Sequence, residues 1–286
     1  MKTWSESELR ATIEELYERD PKGLHEMGES AESAFLALRE LLSMGDVRAA
    51  SPGPQGWVVN TWVKKGILLG FRIGKVEDFS VSKKLRFFDK STFPPKKLEI
   101  EDGVRIVPGG SSIREGAYVG RGVVCMPPMF VNVGAYVDEY TMIDSHALVG
   151  SCAQVGKHVH VSAGAQIGGV LEPVGALPVI IEDRVLVGGN CGVYEGTVVK
   201  REAILAAGTI LTGSTPVYDL VHQNVIRAVP GEPLVIPRGA VVVPGSRPAR
   251  GDFAAREGLS IYTPLIVKYR DPNTDAGAAL EAALRS

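Results

Sequence analysis

The chain has 286 residues, 45% of them hydrophobic and 22% charged, which is the make-up of an ordinary globular protein and excludes wholesale disorder. Its 31 basic and 33 acidic residues give a formal net charge of -2, which leaves no basic surplus for a phosphate backbone, so nucleic acid is not an expected partner. Glycine at 33 and proline at 18 exceed what a helical protein uses, and aromatics at 7% are few for a sandwich or barrel core, so many tight corners are implied. Cys125, Cys152 and Cys191 are an odd number with no CxxC pair, which fits reduced thiols and a cytoplasmic location. The opening MKTWSESELRATIEELYERD is polar where a signal peptide needs an apolar stretch, and no apolar run is long enough to span a bilayer, so no membrane partner is expected.

Residues 1–96 read as an α-helical domain. Ser5 and Glu8 make a capping-box pattern, and Leu9, Ile13 and Leu16 then share one helical face. A second helix is predicted over residues 31–44. A third covers 57–72, with Trp62, Ile67 and Leu68 inward and Lys64 and Lys65 outward.

From about residue 101 the period becomes six. The lead positions, 113 to 167 and then 181 to 211 in steps of six, are always Ile, Val, Leu or Cys, and small residues follow within nearly every hexad. No helix has that period; each hexad is a short strand plus a corner, and three hexads make one triangular coil. Coils stacked at about 4.7 Å build a prism roughly six coils tall. PVGALPVI interrupts the pattern, so a loop near 170–180 is thrown out without loss of phase. IPRGAV and VVPGSR at 236–247 resume the period, which gives a parallel β-helix over 97–248. Residues 249–286 read as a C-terminal strand and helix segment ending in ALEAALRS. The period does not fix the hand of the coil.

Four stretches carry a family resemblance: WVVNTWVKKGILLGFR; VRIVPGGSSIREGAYVGRGVVCMPPMFVNVGAYVDEYTMIDSHALVGSCAQVG; GKHVHVSAGAQIGGVLEPVGALPVIIED; and YEGTVV. With these the chain resembles the tetrahydrodipicolinate N-succinyltransferases of the hexapeptide-repeat transferases. The resemblance implies a left-handed parallel β-helix and a homotrimer with active sites between subunits. It also implies succinyl-CoA as co-substrate, with no metal, and acylation of the amine of tetrahydrodipicolinate through 2-amino-6-oxopimelate. That chemistry needs a deprotonated amine, a donor for the oxyanion and cationic partners for the substrate carboxylates.

On this resemblance Arg105 in VRIVPGG grips a substrate carboxylate, a task suited to its planar fork; from its position alone it is equally a surface arginine. Asp144 in IDSHAL is the carboxylate beside the acceptor's amine, and by spacing alone an ordinary corner Asp. Glu195 in VYEGTV is the second catalytic carboxylate, provided burial raises its pKa, and otherwise a corner residue. Better-known relatives carry a glutamate at the position of Gly192 and a tryptophan at that of His146, so His146 is either an alternative base or a turn cap. For coenzyme A, Gly189, Ala206, Ala207 and Gly208 allow close approach to the backbone, and Arg247 and Lys268 are candidate partners of the nucleotide phosphates.

Three rival readings remain. An acetyl-CoA-dependent relative in lysine and diaminopimelate biosynthesis, the pathway that the resemblance implies, shares an EP-containing insertion. A γ-type carbonic anhydrase would hold zinc through His146, His158 and His160, although 158 and 160 alternate in direction within one hexad. A scaffold would bind no coenzyme A.

Overall fold

The computed structural model describes residues 4–270; the predicted helix at 279–286 lies outside them. Helix α1 (Glu6–Glu18) is capped as its sequence requires. Glu8 N–H donates to Ser5 Oγ at 3.3 Å and Ser5 N–H to Glu8 Oε2 at 3.0 Å, while Leu9, Ile13 and Leu16 are buried. Helices α2 (Pro21–Glu26), α3 (Gly28–Met44) and α4 (Thr61–Ile73) follow, and α3 and α4 pack on α1. Gly45 ends α3 in the left-handed conformation, φ 83°.

Two parts of the helical expectation are corrected. Residues 56–59 are a strand paired antiparallel with Ala50–Gly53, because the PGPQG turn closes a hairpin ahead of the β-prone Trp57, Val58 and Val59. A second hairpin joins Val76–Asp78 to Phe88–Lys90. Lys64 also points inward. It stands three residues before the buried Ile67 and so shares its face; it is fully buried, and its Nζ donates to the Ala176 carbonyl at 2.5 Å.

From Arg105 the chain winds into a parallel β-helix. Every predicted lead residue closes a two-residue strand, and none is more than 7% exposed. Each such buried aliphatic contributes about 1.5–3 kcal/mol of transfer free energy. Strands pair with those one coil away, Tyr118 with Tyr136 and Met142 with His160, a separation of eighteen residues. Across the interruption Gln154 pairs with Ile180, which is the same register plus eight residues.

The prism has three faces, taken in the order the chain visits them: face 1 starting at Arg105–Ile106, face 2 at Ser112–Ile113 and face 3 at Tyr118–Val119. In most coils the third residue after the lead adopts the left-handed conformation, at Gly116, Gly134 and Gly208 and also at His146 (φ 61°) and His158 (φ 55°). Both interruptions, after Ile167 and after Leu211, leave from the corner between faces 2 and 3. The helices pack there too, with Val133 and Cys152 of that corner in their core.

Strand Ala240–Pro248 runs straight on where lower coils turn from face 1 to face 2. It pairs antiparallel with Ser260–Tyr269 to form an arm. Tyr262 Oη accepts the Ile210 N–H at 2.7 Å and ties that arm to the edge of face 2. No helix of the described residues is long and apolar enough to cross a membrane.

Candidate active site

Asp144 follows the lead residue Ile143 and stands at the corner between faces 1 and 2. Its Oδ1 accepts the Ser145 N–H at 2.7 Å, the turn-building bond open to any corner Asp, and Oδ2, on a side chain 30% exposed, lies 3.9 Å from His160 Nε2. Above it the same corner is lined by Ser162 and Ala163, then Gly188 and Gly189, then Ala206, Ala207 and Gly208. Gly189, Ala206, Ala207 and Gly208 thus form one column with Asp144, rising about 10 to 14 Å over two to three coils.

Part of this smallness serves the coil itself. A Cβ on Gly188 would lie 2.6 Å from the Ala207 nitrogen, and Gly208 sits at φ 77°. Gly189 differs: its Cβ would meet only the Ala163 carbonyl, at 3.4 Å, so the space outside it is open to a ligand. Arg247 projects on the arm that leaves at this corner, and its Nε is buried with no hydrogen-bond partner among the described residues, a donor suited to an anion. Lys268 pairs with Val241 at the other end of the arm, about 20 Å away along the strand, so the two cations do not form one site.

Arg105 is exposed on the lowest strand of face 1, two coils beneath the level of Met142, and its guanidinium makes no ion pair among the described residues. Glu195 stands elsewhere, at the corner between faces 2 and 3, at φ 51°. It is exposed, and its Oε2 accepts the Gly213 N–H at 2.9 Å. The burial on which its role as a base depends is therefore absent within one chain. It borders a cavity of about 780 Å³ between the two interruptions, lined among others by Gly169, Pro173, Leu177, Tyr194 and Pro233.

His146 takes the turn position; its N–H donates to Pro128 O at 2.5 Å, and its exposed ring makes no hydrogen bond or ion pair among the described residues. The three cysteines are buried and free. Burial pushes the thiols of Cys125 and Cys152 up to about 12 and that of Cys191 up to about 11, so none is a ready nucleophile. Among the described residues no group of three His, Cys, Asp or Glu is placed to hold a metal.

The profile of the tetrahydrodipicolinate N-succinyltransferase N-terminal region matches residues 8–73, and that of the hexapeptide repeat of succinyl-transferase matches 178–213. The 2,3,4,5-tetrahydropyridine-2,6-dicarboxylate N-succinyltransferase of Afipia carboxidovorans is 40% identical over 98% of this chain and 99% of its own length. Its namesake in Rhodopseudomonas palustris is 39% identical over 98% and 99%, and that in Idiomarina loihiensis 37% over 96% and 96%. The chain belongs to this family.

With the tetrahydrodipicolinate N-succinyltransferase family comes the hand that periodicity leaves open: the β-helix is left-handed. In this member of the family the volume beside Gly192 is taken by Tyr194. A Cβ at 192 would lie 2.4 Å from the Tyr194 ring and 2.9 Å from its Oη, and the same ring also lies 2.8 Å from a Cβ at Gly168. The sequence offers His160 only as a zinc ligand, and neither its place beside Asp144 nor the place of the Tyr194 ring beside Gly192 was foreseen. The eighteen-residue register already puts 160 one coil above 142, and that signal could have found His160.

Proposed function

We propose that the chain transfers the succinyl group of succinyl-CoA to the amine of tetrahydrodipicolinate, through 2-amino-6-oxopimelate, in lysine and diaminopimelate biosynthesis. The observation that carries this reading is the match, over nearly the full length of both chains, to relatives named for that reaction. When bound, succinyl-CoA supplies the thioester, whose carbonyl carbon is the electrophile.

The chain's own residues then have these parts. Asp144 attracts the acceptor's ammonium through Oδ2 and, as a general base, accepts the proton that the amine must lose before it attacks. Gly189, Ala206, Ala207 and Gly208 leave room for the pantetheine arm to run up the corner from Asp144. Arg247 meets a phosphate of the nucleotide, and Arg105 pairs with a carboxylate of the acceptor. Lys268 has no part in the same phosphate site.

Asp144 and Glu195 stand on different corners, on the two sides of face 2, so one chain cannot bring them to one acceptor. This favours a homotrimer whose sites lie between subunits, with Glu195 of one copy offered to the Asp144 corner of the next. The compartment proposed is the cytoplasm, where reduced cysteines persist.

Release of coenzyme A thiol with tetrahydrodipicolinate as acceptor tests this reading. Turnover with succinyl-CoA, little with acetyl-CoA, and a loss of at least about 100-fold in Asp144→Ala are expected. Preference for acetyl-CoA would move the chain to the acetyl-transferring branch, and no turnover with either donor would refute the assignment.

A further inference from the structure

His160 is a titratable group the proposed reaction leaves unused. It lies on face 1, paired with Met142 and so one coil above the start of the segment that carries Asp144. Its Nε2 is buried without a hydrogen-bond partner, although its side chain is 43% exposed, and it stands 3.9 Å from Asp144 Oδ2. That gap is too long for a hydrogen bond, and a buried ring nitrogen left without a partner calls for a reason. The carboxylate is pinned at one oxygen only, Oδ1 to the Ser145 N–H, so Oδ2 alone is shared between the imidazole and the outside.

The geometry points to His160 as the positioning residue of Asp144, the group behind the carboxylate whose unprotonated Nε2 takes up the proton that Oδ2 receives and holds Oδ2 once that proton lies between them. This rests on the reading of Asp144 as the amine-binding carboxylate. A shift of about 1 Å brings Nε2 and Oδ2 to hydrogen-bond distance.

The acceptor's ammonium gives one proton to Oδ2, which passes it to Nε2, leaving an imidazolium beside a carboxylate. The amine lone pair forms the C–N bond to the thioester carbonyl carbon. The C–S bond breaks with its electron pair on sulfur, the second amine proton goes to the thiolate, and the imidazolium returns its proton to water. Among the described residues, the charged and titratable groups around the His160 ring are Asp144, 3.9 Å away, and His158, Arg184 and Arg270, which line a cavity of about 440 Å³ with it.

Steady-state kinetics against pH on the native chain, His160→Gln, His160→Ala and Asp144→Ala test the role, with succinyl-CoA and tetrahydrodipicolinate. In His160→Gln, kcat should fall about 100-fold with KM for the acceptor nearly unchanged, and the acidic limb of the kcat profile should flatten. Added imidazole should restore rate to His160→Ala and none to Asp144→Ala. An unchanged profile in His160→Gln, a loss wholly in KM, or a drop in thermal midpoint with kcat per folded chain preserved would overturn the role while leaving the reaction intact. Absence of turnover in the native chain would overturn the reaction itself, and this role with it.

Discussion

Lys64 carries a charge into the packed interior. Its amine is fully buried between α4 and the inserted loop, desolvation lowers its pKa, and its hydrogen bond to the Ala176 carbonyl offsets only part of that cost. Because the folded state binds this proton less tightly than the unfolded one, stability contributed here rises with pH from the folded to the unfolded value and is lowest below both. Lys64→Met should abolish that alkaline rise in the thermal midpoint and, with volume kept, lose only the donor to the Ala176 carbonyl. Lys64→Ala should destabilise by roughly 2–4 kcal/mol through the cavity and the orphaned carbonyl. Urea titrations of the three proteins between neutral and alkaline pH check both outcomes.

Glu182 has the opposite sign. Desolvation would raise its pKa, but hydrogen bonds from Lys200, the Arg201 N–H and Trp57 outweigh it and hold it low. Its contribution is present above the unfolded value and lost as pH falls through the folded one, so Glu182→Gln should flatten the acid side of the stability curve, as followed by Trp fluorescence. Neither residue was legible as a structural pin. Helical spacing of apolar residues says nothing of a lysine that shares their face, and the Trp57 contact crosses 125 residues of sequence.

At the scale of elements, the prism was readable because its code is volume at a fixed position: each sixth residue fills a narrow core, and an eight-residue interruption changes no phase. The hairpins at 50–59 and 76–90 were not, since three- and four-residue strands leave too few positions to express a period. Deleting residues 170–177 restores the uninterrupted eighteen-residue register. The shortened chain should keep its β circular dichroism and cooperative unfolding yet lose acyl transfer, because the loop walls the cavity beside Glu195. Loss of cooperative unfolding would show that the loop belongs to the folding unit.

The candidate site was legible as a column and not as a cluster. Hexad arithmetic puts Asp144, Gly189 and Ala206 on one corner, but it cannot tell a glycine that admits a ligand from one that admits the next coil, as Gly189 and Gly188 illustrate. It equally hid that His146 takes a left-handed corner while His160 faces Asp144.

For the whole molecule, three faces and three corners dictate how chemistry is shared. Asp144 and Glu195 stand on separate corners of one prism, so the proposed trimer should sediment as three chains. Asp144→Ala and Glu195→Gln, each inactive alone, should regain activity when mixed under reassembling conditions, because some seams then carry both native carboxylates. Activity in neither pure variant nor the mixture would place both groups on the same side of each seam.

The most direct test of the central claim is the mass of the product. The chain is offered equal succinyl-CoA and acetyl-CoA with tetrahydrodipicolinate, and the acylated acceptor is weighed by mass spectrometry. The N-succinyl product should dominate; an N-acetyl product, or an acceptor returned unmodified, would contradict the account.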